Sequence, residues 1–241
     1  MPSRYRAIFF DLDGTLIAEG SGLEQGRAAV AAALRARGHT VSDAEYSAAA
    51  SAVIDRSLES NGGSWPPVFS RVDAIVETLE RLSLPAEDAA EFSDLHHRAR
   101  LNHVTLLDGA AAAVERARVD HQVGLITNGP GDEQRQKLAR TGLESHFQSI
   151  TVSGEIGIAK PDRRIFEIAL ASLEVEAEEA AFVGNNYLAD VVGAQSAGLD
   201  AVWLRHPDSA HPSTTPETTC RTIESMLELG SALGWAPAEE G

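Results

Sequence analysis

The sequence predicts an α/β fold, an open parallel sheet interrupted by an inserted all-helical segment. Three observations predict it. Five short apolar runs are continuous rather than alternating, the pattern of strands covered on both faces. Helical segments separate the later runs, and strand alternating with helix implies right-handed crossovers in one open sheet. Residues 18–104 break that rhythm and hold no strand pattern.

The first strand is Ala7–Phe10, and several runs close directly on Asp, Asn, Thr or Gly. AEGSG (18–22) is a Gly-rich joint. Leu23–Arg37 is Ala-rich and helical, ending at Gly38. Ser42 can cap a second helix running to about Ser60. NGGSWPP (61–67) is a loop; then Val68, Val72, Ile75, Leu79 and Leu82 recur at helical spacing, and Pro85 opens a fourth helix. Four helices in succession make a small bundle, and LNHVTLL (101–107) is the second joint. The expected division is 1–17 with 105–241 for the α/β core and 18–104 for the bundle.

Beyond the joint, a helix over Gly109–Arg118 precedes the strand Val123–Thr127, and Asp132–Thr141 follows it. After the strand Ser149–Val152 comes a helix over Pro161–Leu173, with Pro at its start and Ile165, Ile168, Ala169 and Leu173 on one side. Asp190–Gly198 lies between the strands Ala181–Val183 and Ala201–Leu204. HPDSAHPSTTPETT after Arg205 reads as loop, and Ile223–Leu233 as a final helix.

Bulk properties narrow the function. A formal charge of −16 over 241 residues disfavours nucleic acid and anionic membrane, which need basic patches. It leaves open a small anionic substrate, which needs only a local positive site. One cysteine, Cys220, precludes an internal disulfide and suits a reducing cytoplasm. MPSRYRAIFFDLDG turns acidic too soon for a signal peptide, and no apolar stretch approaches the roughly 18 residues of a membrane span. A cytoplasmic protein is expected. No unused apolar stripe on the bundle speaks to an oligomeric state.

Four stretches carry chemistry. In FFDLDGTL (9–16), Asp11 and Asp13 sit where the first strand ends, and ligands of open α/β sheets bind outside the carboxyl ends of strands. Two carboxylates one residue apart repel, and a metal relieves that cost; the plain alternative is a solvated turn bent at Gly14. In LITNG (125–129), Thr127 and Asn128 offer a hydroxyl, an amide and backbone N–H groups for an anion, or an ordinary strand-to-helix turn. GIAKPD (157–162) sets Lys160, a compact charge suited to a phosphate oxygen, before a helix start. AFVGNNYLAD (181–190) ends a strand in Asn185 and Asn186 and closes on Asp190.

The order of these stretches resembles the haloacid dehalogenase superfamily of hydrolases, in the branch with a helical cap inserted after the first strand. The DxDGT signature stands as Asp11-Leu12-Asp13-Gly14-Thr15, the second motif ends in Thr127, the third is Lys160-Pro161, and the fourth is Gly184-Asn185 with Asp190. The likeness covers nearly the whole chain, to the GAQSAG turn (193–198), and implies a Rossmann-like core beneath the cap. It departs at Asn185, where the family usually has an acid.

The resemblance implies a Mg²⁺-dependent phosphomonoesterase acting on a small phosphorylated metabolite. Asp11 would be the nucleophile and Asp13 the general acid and base. Thr127 and Asn128 would hold phosphate oxygens, with Lys160 neutralising charge. The metal set would be Asp11, Asp13, Asn185 and Asp190, oxygen donors suited to a hard ion; whether Asp190 ligates or orients Lys160 stays open. Three carboxylates against Lys160 and a divalent ion make the site neutral before substrate arrives. Asn in the fourth motif is reminiscent of 2-haloacid dehalogenases, which need no metal and lack an acid at the Asp13 position. A phosphomutase, and a catalytically weak ligand-binding relative, complete the alternatives. His96, His97 and His103 read as a solvated helix face rather than a metal cluster, Arg35 and Arg37 as substrate contacts or surface charges, and Trp65 as cavity lining or packing.

Overall fold

The computed structural model describes residues 4–18, 20, 22–60, 70–207 and 219–235. The sheet starts at β1 (Ala7–Phe10), and four helices follow: α1 (Leu23–Ala36), α2 (Asp43–Ser60), α3 (Arg71–Arg81) and α4 (Ala89–Leu101). Next come α5 (Ala110–Asp120), β2 (Gln122–Thr127), α6 (Gly131–Thr141), β3 (Ser149–Val152), the short α7 (Ser153–Ile156) and α8 (Arg163–Leu173). The chain closes with β4 (Ala180–Gly184), a π-helix (Tyr187–Val192), α9 (Gly193–Ser196), β5 (Asp200–Leu204), β6 (Arg221–Ile223) and α10 (Leu229–Ala232).

All strand pairings are parallel, in the order β3-β2-β1-β4-β5-β6. β1 lies in the middle, flanked by strands far from it in sequence, so the order reverses there and opens a crevice at the strand ends. Alternate residues of β1 serve two cores. Ile8 and Phe10 pack with Val114, Leu125 and Leu138 on one face, and Ala7 and Phe9 with Ile165, Phe166 and Leu173 on the other. The continuous apolar reading of these strands reflects that double burial.

Helices α1–α4 pack on one another around Val30, Leu34, Tyr46, Leu79 and Phe92, a cluster separate from the two on the sheet. The connections into and out of them run side by side: Ala18 N–H donates to the Thr105 carbonyl, and Leu107 N–H to that of Leu16, both at 2.9 Å. Ser42 caps α2 as a capping box, its hydroxyl accepting from Glu45 N–H while Glu45 reaches back to Ser42 N–H. Ser70 caps α3, accepting from Asp73 N–H.

Four sequence expectations need correction. Pro85 precedes the fourth helix by a turn, since α4 begins only at Ala89. Ile223 ends a three-residue edge strand rather than opening a helix, and among the described residues beyond it there are two short helical turns. The span Asp190–Gly198 joins a π-helix that begins at Tyr187. Ile168 faces outward, 41% exposed, apart from Ile165, Ala169 and Leu173. The NGGSWPP loop with Trp65, and most of the stretch after Pro207, lie outside the described residues. Among the described residues, no helix is long and apolar enough to cross a membrane.

Candidate active site

β1 ends at Phe10, paired with Leu125 of β2 and with Val183 of β4, and the neighbours run on past it, β2 by two residues and β4 by one. Asp11 emerges from the central strand there, with its backbone N–H bound to the Val183 carbonyl at 2.9 Å. Thr15, fully buried, donates towards both Asp11 Oδ2 and Asn185 Oδ1 at 3.3 Å. Gly14 turns the chain at a φ of 79°, and a Cβ there would fall 2.3 Å from the Asn185 amide nitrogen. Glycine is therefore required on two counts.

Lys160 is the hub. Its Nζ donates to Asp11 Oδ1 at 2.7 Å and to Asp190 Oδ1 at 2.6 Å. All three side chains are buried, Lys160 being 2% and Asp190 1% exposed. Burial pulls the ammonium down, but the two carboxylates outweigh it and hold the group above its ordinary range. Burial is also the largest influence on Asp11, and with Asp190 and Asp13 nearby it pushes the carboxyl up to about 7 against the pull of Lys160. One ammonium shared by two buried carboxylates leaves the pair short of positive charge.

Asn128 is committed elsewhere. Its Nδ2 donates to the Lys160 carbonyl and its Oδ1 accepts from the Lys160 N–H, both at 2.9 Å. The side-chain amide fixes the backbone of Lys160 and so aims its ammonium.

Asp13 meets a second lysine, from α6. Lys137 Nζ lies 3.0 Å from both Asp13 carboxylate oxygens. Gln134 donates to Asp13 Oδ2 at 2.8 Å and to the Thr127 hydroxyl at 2.6 Å, and accepts from Lys137 at 2.9 Å. Behind them Glu133 pairs with Lys137 at 2.9 Å and with Arg100 of α4 at 2.6 Å. Arg71 of α3 binds Asp132 through two hydrogen bonds, at 2.9 and 2.6 Å, and lies 3.8 Å from Glu133. Burial opposes ionisation of Glu133, yet Lys137 and Arg100 outweigh it and hold the carboxyl down at about 2.

The turn after β4 is built for Asp190. Its Oδ2 accepts from Asn186 N–H at 2.8 Å while Oδ1 takes Lys160, so both carboxylate oxygens are engaged. A Cβ on Gly184 would lie 2.4 Å from the Asp190 Cγ, so only glycine lets the carboxyl pass. Asn186 caps the π-helix, accepting from Ala189 N–H at 2.9 Å. The Asn185 carbonyl accepts from the Trp203 indole at 2.9 Å, which holds that residue's side chain beside Thr15.

These residues open on a cavity of about 410 Å³ between the strand ends and the helical bundle. Its upper wall is largely apolar, with Leu23, Ala50, Ile54, Leu58 and Ile75 beside Tyr46. Arg27, Arg71, Arg100 and His96 also line it. Two of the histidines are not a solvated face: His97 is buried, and burial, followed by Arg100, pushes His96 down to about 4, whereas His103 is exposed as expected. Arg35 and Arg37 are not in the lining; they pair with Asp43 and with Asp88 and Glu91.

A family model described as haloacid dehalogenase-like hydrolase matches residues 5–198, which include every strand-end residue above. The chain belongs to this family. As an HAD-like hydrolase it is an enzyme, and its relatives include phosphatases. Phosphoserine phosphatase from Thermus thermophilus is 36% identical over 171 residues, 70% of this chain and 68% of that one. N-acylneuraminate-9-phosphatase from Rattus norvegicus is 28% identical over 96% of this chain and 94% of its own. A 2-haloacid dehalogenase from Pseudomonas syringae superposes with a TM-score of 0.71 at 25% identity, covering 95% and 98% of the two chains. Bacillus subtilis YfnB, bound to magnesium, superposes at 0.69 and 23%, a likeness of fold.

Asp11, Asp13, Thr127, Lys160, Asn185 and Asp190 all line the cavity of this HAD-like hydrolase. Asn128 lines it too but turns its amide to the Lys160 backbone. Sequence reasoning missed Lys137, Gln134 and Glu133. A signal existed: on the helix directly after the second motif, Lys137 follows Gln134 by three residues and Glu133 by four, the spacings that bring side chains together.

Proposed function

We propose that this hydrolase is a phosphomonoesterase for a small phosphorylated metabolite and works through an aspartyl-phosphate on Asp11. The observation that carries it is the buried Lys160 shared by Asp11 and Asp190 at the end of the central strand, with Asp13 two residues on. The named relatives, phosphoserine phosphatase, N-acylneuraminate-9-phosphatase and a glyceraldehyde 3-phosphate phosphatase from Pyrococcus abyssi, support the same reaction type.

Asp11 attacks phosphorus, and the bond from phosphorus to the leaving oxygen breaks. Asp13 gives that oxygen a proton, then takes one from the water that releases phosphate and restores Asp11. Lys160 balances charge on Asp11 and the phosphoryl group, and Asp190, anchored at both oxygens, holds Lys160 in place. The Thr127 hydroxyl and the backbone at Asn128 face the phosphate oxygens. The leaving group lies against the apolar wall at Tyr46, Ile54 and Ile75. We read residues 18–104 as a cap whose closure keeps bulk water from the site, on a core of 1–17 and 105–241.

The donor set suits Mg²⁺. Asp11, Asp13, Asp190 and Glu133 set four carboxylates against the cations Lys160, Lys137 and Arg100, one net negative charge that a divalent ion converts to positive before a phosphate arrives. Among the described residues no three His, Cys, Asp or Glu groups converge as a metal site. The holding residues would be the Asp11 carboxylate, the Asp13 carbonyl and the Asn185 amide oxygen, all hard donors. When bound, the ion supplies charge stabilisation for the transferring phosphoryl group.

A panel of metabolite phosphates together with p-nitrophenyl phosphate, assayed with Mg²⁺ on wild type and Asp11→Asn, tests the reading. Turnover by wild type alone is expected. Equal inertness of the two proteins overturns it, and chloride release from 2-chloropropionate without added metal would support a dehalogenase instead.

A further inference from the structure

We propose that Lys137 is the positioning residue of Asp13, and that Glu133 ties this positioning to the seating of the helical bundle through Arg100 and Arg71. The inference rests on the phosphomonoesterase reading, in which Asp13 is the acid and base. It adds two residues of α6 and two of the bundle that the DxD, Thr, Lys-Pro and Asn motifs do not include.

Lys137 is only 3% exposed, and its ammonium is equidistant from the two Asp13 oxygens. That contact, with Gln134 on Oδ2, fixes the carboxyl group at both ends. An acid held from both oxygens keeps one rotamer, which a proton-transfer group needs, because small displacements cost large factors in rate. Gln134 also ties the Thr127 hydroxyl to the same constellation.

Glu133 completes the link. It is 5% exposed and sits one helical turn before Lys137. A buried carboxylate needs compensating charge. With the bundle seated, Arg100 supplies it at 2.6 Å and Arg71 stands 3.8 Å away, anchored on Asp132. Lys137 is then shared between Glu133 and Asp13. When α3 and α4 lift away, both arginines leave with them, and Glu133 has Lys137 as its nearest cation. The ammonium is drawn back along α6, and Asp13 loses its anchor. The acid is therefore aimed when the cap is seated over a substrate.

The test compares kcat/KM on two substrates that differ in their need for an acid. Phenyl phosphate expels a poor leaving group, and p-nitrophenyl phosphate a good one. Because kcat/KM covers steps only up to phosphoryl transfer to Asp11, the comparison isolates the acid role from the later attack of water. In Lys137→Met we expect a loss on phenyl phosphate about tenfold to a hundredfold larger than on p-nitrophenyl phosphate, the scale of a misplaced proton-transfer group. Lys137→Arg should recover most of the difference. The Arg71→Gln/Arg100→Gln double variant, which leaves the core intact, should show the same selective loss at smaller size, as should Glu133→Gln. Equal losses on both substrates in Lys137→Met and in the arginine double variant overturn the proposal, since a purely structural role moves both alike. Wild type that turns over neither substrate overturns the phosphomonoesterase reading and this inference with it. Wild type that is active while Asp11→Asn is inert keeps the former whatever happens to the latter.

Discussion

Lys160→Met removes the one ammonium that two buried carboxylates share. Its Nζ lies 2.7 Å from Asp11 and 2.6 Å from Asp190, with side-chain exposures of 2%, 9% and 1%. Breaking a buried pair by deleting one partner typically costs about 3–5 kcal/mol, because uncompensated charge is left behind. Here two charges are left, so the upper part of that range applies. In a chain of this size about 4–5 kcal/mol corresponds to a fall in Tm of roughly 8–20 °C. Asp11 relieves the clash by taking a proton, since burial already pushes it up to about 7 and the pull of Lys160 is gone. The unfolded chain gives up that proton near 3.9. The native variant then binds more protons than the unfolded one above that pH, so its stability falls as pH rises. A double-mutant cycle with Asp190→Asn tests the cause. With Asp11 protonated, Asp190 is the charge left uncompensated, and neutralising it should make the double variant more stable than the sum of single effects by about 2 kcal/mol. Urea unfolding of the four proteins with a common slope measures this. Additivity within about 0.5 kcal/mol refutes the reasoning. In activity, Asp190→Asn should lower kcat and leave the Mg²⁺ activation constant unmoved, because both Asp190 oxygens are already engaged.

Three further outcomes are expected. Asn185→Asp should tighten Mg²⁺, by less than the roughly 4 kcal/mol that a unit charge pair is worth at 4 Å, since desolvation offsets much of it; an unchanged activation curve counts against Asn185 as a ligand. Gly184→Ala should destabilise by at least about 1–3 kcal/mol and abolish turnover, because its Cβ would lie 2.4 Å from the Asp190 Cγ; a variant of wild-type activity contradicts that. His96 is held neutral down to about 4, while the unfolded residue protonates near 6.5. Its contribution is thus fully present above pH 6.5 and is lost towards pH 4, up to about 3 kcal/mol; His96→Gln should flatten that part of the stability profile, and an identical slope in the variant refutes the assignment.

The legible parts of the molecule were those where burial leaves a one-dimensional trace. β1, β2, β4 and β5 read as continuous apolar runs because each is covered on both faces. β6 left no such trace, since Arg221 and Thr222 are exposed and only Ile223 is buried. Asp11, Asp13 and Thr127 stood out because polar residues closed apolar runs, and Lys160 because it stands directly before Pro161 and a helix start. Lys137 did not, because α6 reads GDEQRQKLART, a surface helix by composition, and Glu133 with Lys137 looks like an ordinary exposed i, i+4 pair. The packing of α4 on α6, with Asp13 and Thr127 against Lys137 and Gln134, buries that face. Counting charge from sequence gave a neutral site with Mg²⁺; Lys137, Glu133 and Arg100 shift that balance to one net positive charge. Asn186 also gained a purpose, as the cap that starts the π-helix and lends its N–H to Asp190.

The most direct test of the central claim is to look for the intermediate on Asp11. Wild-type protein turning over p-nitrophenyl phosphate with Mg²⁺ is quenched in acid and digested, and the peptide containing Asp11 is weighed. A peptide heavier by one phosphoryl group, absent from Asp11→Asn, is the predicted result. Turnover with that peptide unmodified, or with the phosphoryl group on another residue, contradicts it.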